Sequence, residues 1–88
     1  MTDSYKSYVI RGFDRNNNPI YIYDARKKDY CDDYTFCFVS KLYQAQRFIR
    51  SGAEEFLKAS KHRFASISPK IVPITITIDE NEDEIIEV

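Results

Sequence analysis

Hydrophobic residues recur at helical spacing in one long stretch of the chain, residues 40–64. The positions that share this spacing are Leu42, Ala45, Ile49, Ala53, Phe56, Leu57, Ser60 and Phe64, all apolar except Ser60. Steps of three and four residues are typical of one face of an amphipathic helix. Ser51 followed by Glu54 forms a capping box, which marks a helix start inside the stretch. We therefore predict two helices, 41–49 and 52–62, with Ser40 as the first N-cap; a single bent helix is the alternative.

Four segments of β-branched and aromatic residues predict strands on either side of the helices. They span residues 5–11, 20–23, 34–39 and 71–78. Residues 12–19, rich in Asn and Asp, predict the turn of a β-hairpin, and the polar residues 24–33 predict a long surface loop. In the third strand the face of Tyr34, Phe36 and Phe38 should meet the helix. Pro73 has no N–H to donate, so we place it at a strand start or on an unpaired edge.

The order β-β-β-α-α-β predicts an α+β fold: an antiparallel sheet of about four strands with one or two helices packed on one face. The 88 residues fit one domain, which we assign to residues 1–78. Residues 79–88 hold six acids and no base, and we interpret them as an acidic C-terminal tail. Ile85, Ile86 and Val88 interrupt these charges, so part of the tail can lie against the domain. The pattern leaves the order of the strands open.

Charge and cysteine usage predict where the protein acts. Residues 1–78 carry 13 basic and eight acidic side chains, so a mildly basic body precedes the acidic tail. The N-terminal residues are polar, which predicts no secretory signal, and no apolar run is long enough to span a membrane. Cys31 and Cys37 are the two cysteines, and we interpret both as free thiols. These features predict a location in a reducing cytoplasm.

No motif in the chain indicates catalysis. The single histidine, His62, lies between Lys61 and Arg63, which is typical of a solvated helix end and not of a catalytic base. The spacing of Cys31 and Cys37 does not fit a zinc site, and two isolated glycines do not form a phosphate-binding loop. We therefore expect a non-enzymatic protein with no catalytic residue, no metal and no cofactor.

Two surfaces could bind a partner. Basic and aromatic residues alternate along the hairpin and reach Arg26, Lys27 and Lys28, a composition that suits nucleic acid. The acidic tail could instead imitate a phosphate backbone and occupy a basic groove, with exposed tyrosines as anchors. The residues predicted to contact a partner are Tyr21, Tyr23, Asp29, Tyr30, Asp32, Asp33, Asp79, Glu80, Glu82, Asp83 and Glu84.

The chain resembles small accessory proteins of bacteriophages and prophages. The resemblance covers most of residues 8–78 and departs from that pattern between Cys31 and Cys37 and in the tail. It rests on Tyr8-Val9-Ile10, Tyr21-Ile22-Tyr23, Ala45 with Phe48, Ala53-Glu54-Glu55-Phe56-Leu57-Lys58 and Ile71-Val72-Pro73-Ile74-Thr75-Ile76. Proteins of this kind often bind and block a host enzyme, and they include anti-CRISPR and other anti-defence proteins. The resemblance implies that the predicted cytoplasm is that of a bacterial host.

The resemblance and the acidic tail together predict a phage-type inhibitor that sterically blocks a host defence protein. A CRISPR effector, which binds nucleic acid, is the leading candidate partner. One alternative is a small nucleic-acid-binding regulator that uses the basic hairpin. Another is a homodimerising structural module, in which residues 73–78 pair with a second copy across a free strand edge. Monomer and homodimer both remain open.

Overall fold

Five antiparallel strands form one sheet in this computed structural model, which describes residues 3–30, 33–63 and 66–88. The strands are β1 (Asp3–Phe13), β2 (Pro19–Lys27), β3 (Tyr34–Val39), β4 (Lys70–Ile78) and β5 (Glu84–Glu87). They lie side by side in the order β3-β2-β1-β4-β5. One α-helix, α1 (Arg50–Ser60), packs on the sheet, and 3-10 turns span Leu42–Gln44 and Lys61–Arg63. The predicted fold class, an antiparallel sheet with a helix on one face, is confirmed.

Two stretches of strand extend beyond the predicted pattern. β2 continues to Lys27, so the long loop predicted at residues 24–33 is wrong over its first four residues. A bulge between Tyr23 and Arg26 lets the pairing with β3 continue past the polar sequence. At the other edge, residues 84–87 of the stretch predicted as a tail form β5. Ile86 lies opposite Ile76 of β4, and this apolar contact explains why the acidic stretch pairs.

The predicted helix at residues 41–49 is wrong. Only Leu42–Gln44 form a helical turn, and Ala45 is already extended, with φ −62° and ψ 142°. Phe48 instead pairs with Tyr8 of β1 through two main-chain hydrogen bonds of 3.1 and 2.8 Å. The second predicted helix exists as α1. It begins at Arg50, two residues before the predicted start.

Two small cores lie on opposite faces of the sheet. Val9 and Ile10 are consecutive residues of β1 and both are fully buried, so their side chains point to opposite faces. The core under α1 contains Ile10, Ile22, Ala53 and Phe56. The core on the other face contains Val9, Ala45, Ile74 and Ile76. The aliphatic face of β4 is therefore turned away from α1, and residues of the 42–45 segment cover it.

Aromatic packing fixes β3 against α1. The rings of Tyr34 and Phe36 lie edge-on to Phe56, with centroid distances of 5.0 and 5.6 Å. The predicted contact between this face of β3 and the helix is therefore confirmed for two of its three residues. Phe38, the third, is 46% exposed.

Residues 45–48 pass between β1 and β2 and so join the two faces. β1 pairs with β2 only through residues 11–13, and beyond them the two strands separate. We call the gap between residues 3–8 of β1 and residues 22–27 of β2 the fork. In the fork, Gln46 donates its N–H to the Ile22 carbonyl at 3.0 Å, and its Oε1 accepts from the Ala25 N–H at 2.6 Å. Gln46 thus supplies hydrogen-bond partners for main-chain groups of β2 that β1 does not reach.

Candidate protein-binding surface

The two predicted acidic segments lie at the same end of the sheet. Antiparallel strands alternate in direction, so the β2–β3 connection and the β4–β5 turn both lie at the end where β1 begins. We call this the acidic end. Its acidic residues in the described ranges are Asp3, Asp29, Asp33, Asp79, Glu80, Glu82, Asp83 and Glu84. Asp32, also predicted to contact a partner, lies outside the described residues.

The β4–β5 turn has a defined backbone. Asp79 and Asp83 close it with an N–H to carbonyl bond of 3.0 Å, and Glu82 donates back to the Asp79 carbonyl at 3.1 Å. The Oδ1 of Asp79 also accepts from the N–H groups of Asn81 and Asp83, both at 2.9 Å. The backbone of Glu82 is in the left-handed region, with φ 63°. The Asp79 carboxylate therefore holds the turn together, while Glu80, Glu82 and Asp83 are exposed on it.

The β1–β2 turn has the same geometry without the acids. Asp14 closes it with Asn18 at 3.0 Å and uses its own Oδ1 in the same two bonds of 2.9 Å. Asn17 is left-handed at φ 63°, as Glu82 is. Both are hairpin turns in which a left-handed residue follows a type I turn. Because Arg15, Asn17 and Asn18 fill the corresponding positions, the backbone of this turn does not require acidic side chains there.

Glu84 fastens the acidic hairpin to the segment that crosses the sheet. Its carboxylate lies 2.5 Å from the guanidinium of Arg47. Arg47 is two residues beyond the buried Ala45 and next to Phe48, which is paired with β1. Glu84 is therefore occupied within the molecule, although the sequence predicted it as a contact for a partner.

An open groove of about 540 Å³ lies beside this ion pair. We call it the tyrosine groove; its lining residues are Tyr23, Val39, Tyr43, Gln44, Ala45 and Arg47. Tyr23 is 48% exposed and Tyr43 is 68% exposed. Tyr21, the other tyrosine predicted from β2, is half-buried and packs on the core with Ala45. Tyr43 was missed from the sequence because helical spacing placed it on the polar face of a helix that does not form.

Asp33, which was predicted to contact a partner, makes several contacts within the molecule. Its Oδ1 accepts the Tyr34 N–H at 2.8 Å, and its carboxylate pairs with Lys28 at 3.4 Å and with Arg63 at 3.2 Å. The Tyr34 N–H, followed by Lys28 and Arg63, lowers the pKa of Asp33 below its ordinary value. Arg63 also lies 4.6 Å from the ring centroid of Phe36. Asp33 therefore ties the β2–β3 connection to the end of the helical segment.

Two other residues of this connection face solvent. Tyr30 is 85% exposed and Asp29 is exposed. They lie at the acidic end with the β4–β5 turn, but on the other side of β1. The predicted contacts thus form two groups, one on each outer hairpin of the sheet.

The basic residues that were proposed to bind nucleic acid form ion pairs within the molecule. Arg26 contacts Asp24 at 2.8 Å, Lys27 contacts Glu55 at 3.8 Å and Lys28 contacts Asp33 at 3.4 Å. Residues 75–78, part of the edge proposed for a dimer, are also occupied, because they pair with β5 as well as with β1. Pro73 lies beyond the end of β5, where its missing N–H costs no ladder bond.

These features define a small α+β domain with an acidic, tyrosine-bearing surface. No family model matches the chain, and neither a curated protein nor a solved structure matches it. Within residues 3–30, 33–63 and 66–88, no group of three His, Cys, Asp or Glu side chains could hold a metal ion. None of the described helices is long and apolar enough to cross a membrane. The resemblance to phage accessory proteins stays a prediction.

Proposed function

We propose that this chain is a non-enzymatic inhibitor that binds a protein partner through its acidic end and tyrosine groove. The partner presents a basic surface that normally holds nucleic acid, and the inhibitor occludes it. The resemblance to phage proteins points to a host defence protein, with a CRISPR effector as the leading candidate. Such a complex would form in the host cytoplasm.

The observation that carries this proposal is the contrast between the two matching turns. The same backbone carries Arg15, Asn17 and Asn18 in one turn and Glu80, Glu82 and Asp83 in the other. The backbone tolerates neutral side chains, so the geometry of the turn does not require these acids. They are also held in place, since Asp79 fixes the turn and Glu84 binds Arg47. Charges in a fixed arrangement lose less entropy on binding a complementary surface.

The tyrosine groove supports a protein partner. Tyr and Arg are enriched among residues that contribute most to protein interfaces, and this groove contains Tyr23, Tyr43 and Arg47. Arg47 contacts Glu84, so the groove and the acidic hairpin are joined. An apolar or aromatic side chain of the partner would enter the groove while basic side chains meet the turn.

Direct nucleic-acid binding is less favoured by the same geometry. Binding to phosphates requires Lys and Arg side chains that replace bound counterions. Arg26, Lys27 and Lys28 already lie against carboxylates of this chain. The exposed acids of the β4–β5 turn would repel a phosphate backbone.

A charge exchange between the two turns tests the proposal. The neutral variant carries Glu80→Gln, Glu82→Asn and Asp83→Asn, which keeps the turn and removes three charges. The exchanged variant adds Arg15→Glu, Asn17→Glu and Asn18→Asp, which restores the acids at the opposite end of the sheet. Tagged proteins are incubated with nuclease-treated bacterial lysate, and retained proteins are identified by mass spectrometry. The affinity of a retained protein for its nucleic acid is then measured with and without each variant.

We expect the native chain to retain a basic nucleic-acid-binding protein and to weaken its hold on nucleic acid. The neutral and exchanged variants should retain at least about tenfold less of this protein, because both lack the three negative charges of the β4–β5 turn. Equal retention by all three proteins would refute the proposal. In a parallel incubation without nuclease, retention of nucleic acid and of no protein would favour the regulator.

A further inference from the structure

The edge of β1 that faces β2 is paired along only part of its length. β1 has eleven residues, and its pairing with β2 covers residues 11–13. Tyr8 has Phe48 as its partner on this side. Below Tyr8, toward the acidic end, no described segment pairs with this side of β1.

The direction of the main-chain groups on this edge follows from the Tyr8 bonds. Both the N–H and the carbonyl of Tyr8 bond to Phe48 and so point away from β4. Alternate residues of a strand turn these groups to the same side, so Ser4 and Lys6 also direct theirs away from β4. Within the described ranges no hydrogen bond to these groups is formed. Residues 3–6 are all exposed, which agrees with an open edge.

β2 does not return to close this edge. It bends at the bulge between Tyr23 and Arg26, where Asp24 has φ 53°. The next N–H, that of Ala25, bonds to the Gln46 side chain. The inner side of β2 is therefore occupied by Gln46, while the facing part of β1 is not. In the lower half of the fork, the main-chain groups of Ser4 and Lys6 therefore pair with no described segment.

We propose that an extended basic segment of a protein partner adds to β1 as a strand, pairing with Ser4 and Lys6. Strand addition to an open edge is a recurring way to bind peptides, in which main-chain hydrogen bonds provide affinity. The segment is basic because the edge opens at the acidic end, with Asp3 on the edge itself and Asp29 and Asp79 on the flanking hairpins. Lys6 is the one basic residue of this part of β1, and Arg26 and Lys27 on the β2 side of the fork are paired with Asp24 and Glu55. The inference rests on the proposed function only for the basic character of the partner.

Two substitutions at one position separate the main-chain contact from the side chain. Lys6→Ala removes the side chain and keeps the N–H. Lys6→Pro removes the N–H that points into the fork and leaves the bonds between β1 and β4 intact, because Lys6 does not donate to β4. Ser4→Pro repeats the test if Lys6→Pro does not fold. The probe is a fluorescein-labelled ten-residue peptide of alternating lysine and threonine, with a glutamate–threonine peptide as its charge control.

We expect Lys6→Pro and Ser4→Pro to bind the lysine peptide at least about fivefold more weakly than Lys6→Ala does, by fluorescence polarisation. Amide exchange followed by NMR gives the second readout. In the free protein the amides of Ser4 and Lys6 should exchange fast, while those of Tyr5 and Ser7, which face β4, are protected. The lysine peptide should slow the exchange of Ser4 and Lys6.

Three results would overturn the inference. The first is that the alanine and proline variants bind the lysine peptide with equal affinity. The second is that the glutamate peptide binds as well as the lysine peptide. The third is that the protein without peptide has the mass of two chains and the amides of Ser4 and Lys6 exchange slowly. The last result would mean that a second copy occupies the edge. If the neutral turn variant loses the lysate partner while Lys6→Pro retains it, the proposed function stands and strand addition fails.

Discussion

Gly12 of β1 lies in close contact with the segment of the chain that precedes β4. A Cβ built on it would lie 2.8 Å from Cδ1 of Ile67 and 3.0 Å from the Ile67 carbonyl oxygen. The neighbouring N–H, that of Phe13, donates to this same carbonyl at 3.0 Å. At this point the absence of a side chain lets the segment before β4 close over β1.

We predict that Gly12→Ala lowers the free energy of unfolding by about 1–3 kcal/mol, because Ile67 and its main chain must move. Urea denaturation measures the change. The control is Gly52→Ala in α1, where the nearest atom is 3.4 Å away. Alanine there should raise the free energy of unfolding by about 0.5–1 kcal/mol, since glycine is unfavourable in a helix. Equal stability of the two variants would contradict the close approach.

Glu82 and Asn17 allow a second prediction at this scale. Both are left-handed in matching turns, and asparagine accepts this conformation more readily than glutamate. We predict that Glu82→Asn raises the free energy of unfolding by about 0.5–1 kcal/mol in thermal denaturation. Asn17→Glu should lower it by a similar amount. A change of the same sign in both variants would show that backbone strain is not the cause.

At the scale of elements, local patterns predicted the strands and α1, but long-range pairing decided the path of residues 41–49. Leu42, Ala45 and Phe48 have the spacing of a helical face, and each does pack on a core. They pack on two different faces, which a helix on one side of the sheet could not allow. Hydrogen bonds to main-chain groups that β1 and β2 do not share with each other hold this segment extended. Phe48 bonds to Tyr8, which is 40 residues away, and Gln46 bonds to Ile22, which is 24 residues away.

The candidate site was predictable to a similar degree. The acidic run could be read from the composition, but the composition did not show which tyrosines are exposed: Tyr23 and Tyr30 are exposed, and Tyr21 is half-buried. The engagement of Glu84 by Arg47 could not, because no local signal links residues 37 positions apart. The tyrosine groove depends on the same crossing segment, so it was missed together with it.

Gln46 provides a prediction for the fork. Its side chain is the partner of the half-buried Ala25 N–H, and loss of that acceptor leaves the donor unsatisfied. We predict that Gln46→Ala lowers the free energy of unfolding by about 1–2 kcal/mol in urea. Gln44→Ala, a substitution at an exposed position of the tyrosine groove, should change it by less than about 0.5 kcal/mol. If the two variants were equally stable, the Gln46 bond would contribute nothing.

The contacts of Asp33 join three elements and make stability depend on pH. Its pKa is lower in the folded chain than the ordinary value of 3.8. Its contribution is therefore fully present above that value and is lost as pH falls through the folded pKa. We predict that Asp33→Asn is less stable than the native chain at pH 7 and that the difference shrinks as the pH falls below 3.8. Urea denaturation of both proteins across this pH range measures the difference in the free energy of unfolding. If this difference were the same at pH 7 and pH 2, ionisation of Asp33 would not be its source.

For the whole molecule, exposed acids concentrate at one end of the strands, and the basic residues Arg26, Lys27 and Lys28 near that end are paired with carboxylates. The acidic end carries the β4–β5 turn and Asp29, while the opposite end carries Arg15, Lys41 and Lys70. The fork opens toward the acidic end, so one region combines the exposed acids with the free edge of β1. Removal of residues 79–88 would delete β5 and the Arg47–Glu84 ion pair together with the acids. Charge exchange between the turns is therefore the cleaner test of binding.

The crossing of residues 45–48 has a consequence for how the molecule melts. Ala45 belongs to one core and Phe48 packs on the other, and both lie in one four-residue span. Neither layer can come apart without withdrawing this span from between β1 and β2, which exposes the second layer as well. We predict a single calorimetric transition whose measured enthalpy equals the van't Hoff enthalpy. Two resolved heat-absorption peaks would show that the layers melt separately. The thinness of each core is thus offset by the fact that the two must melt as one unit.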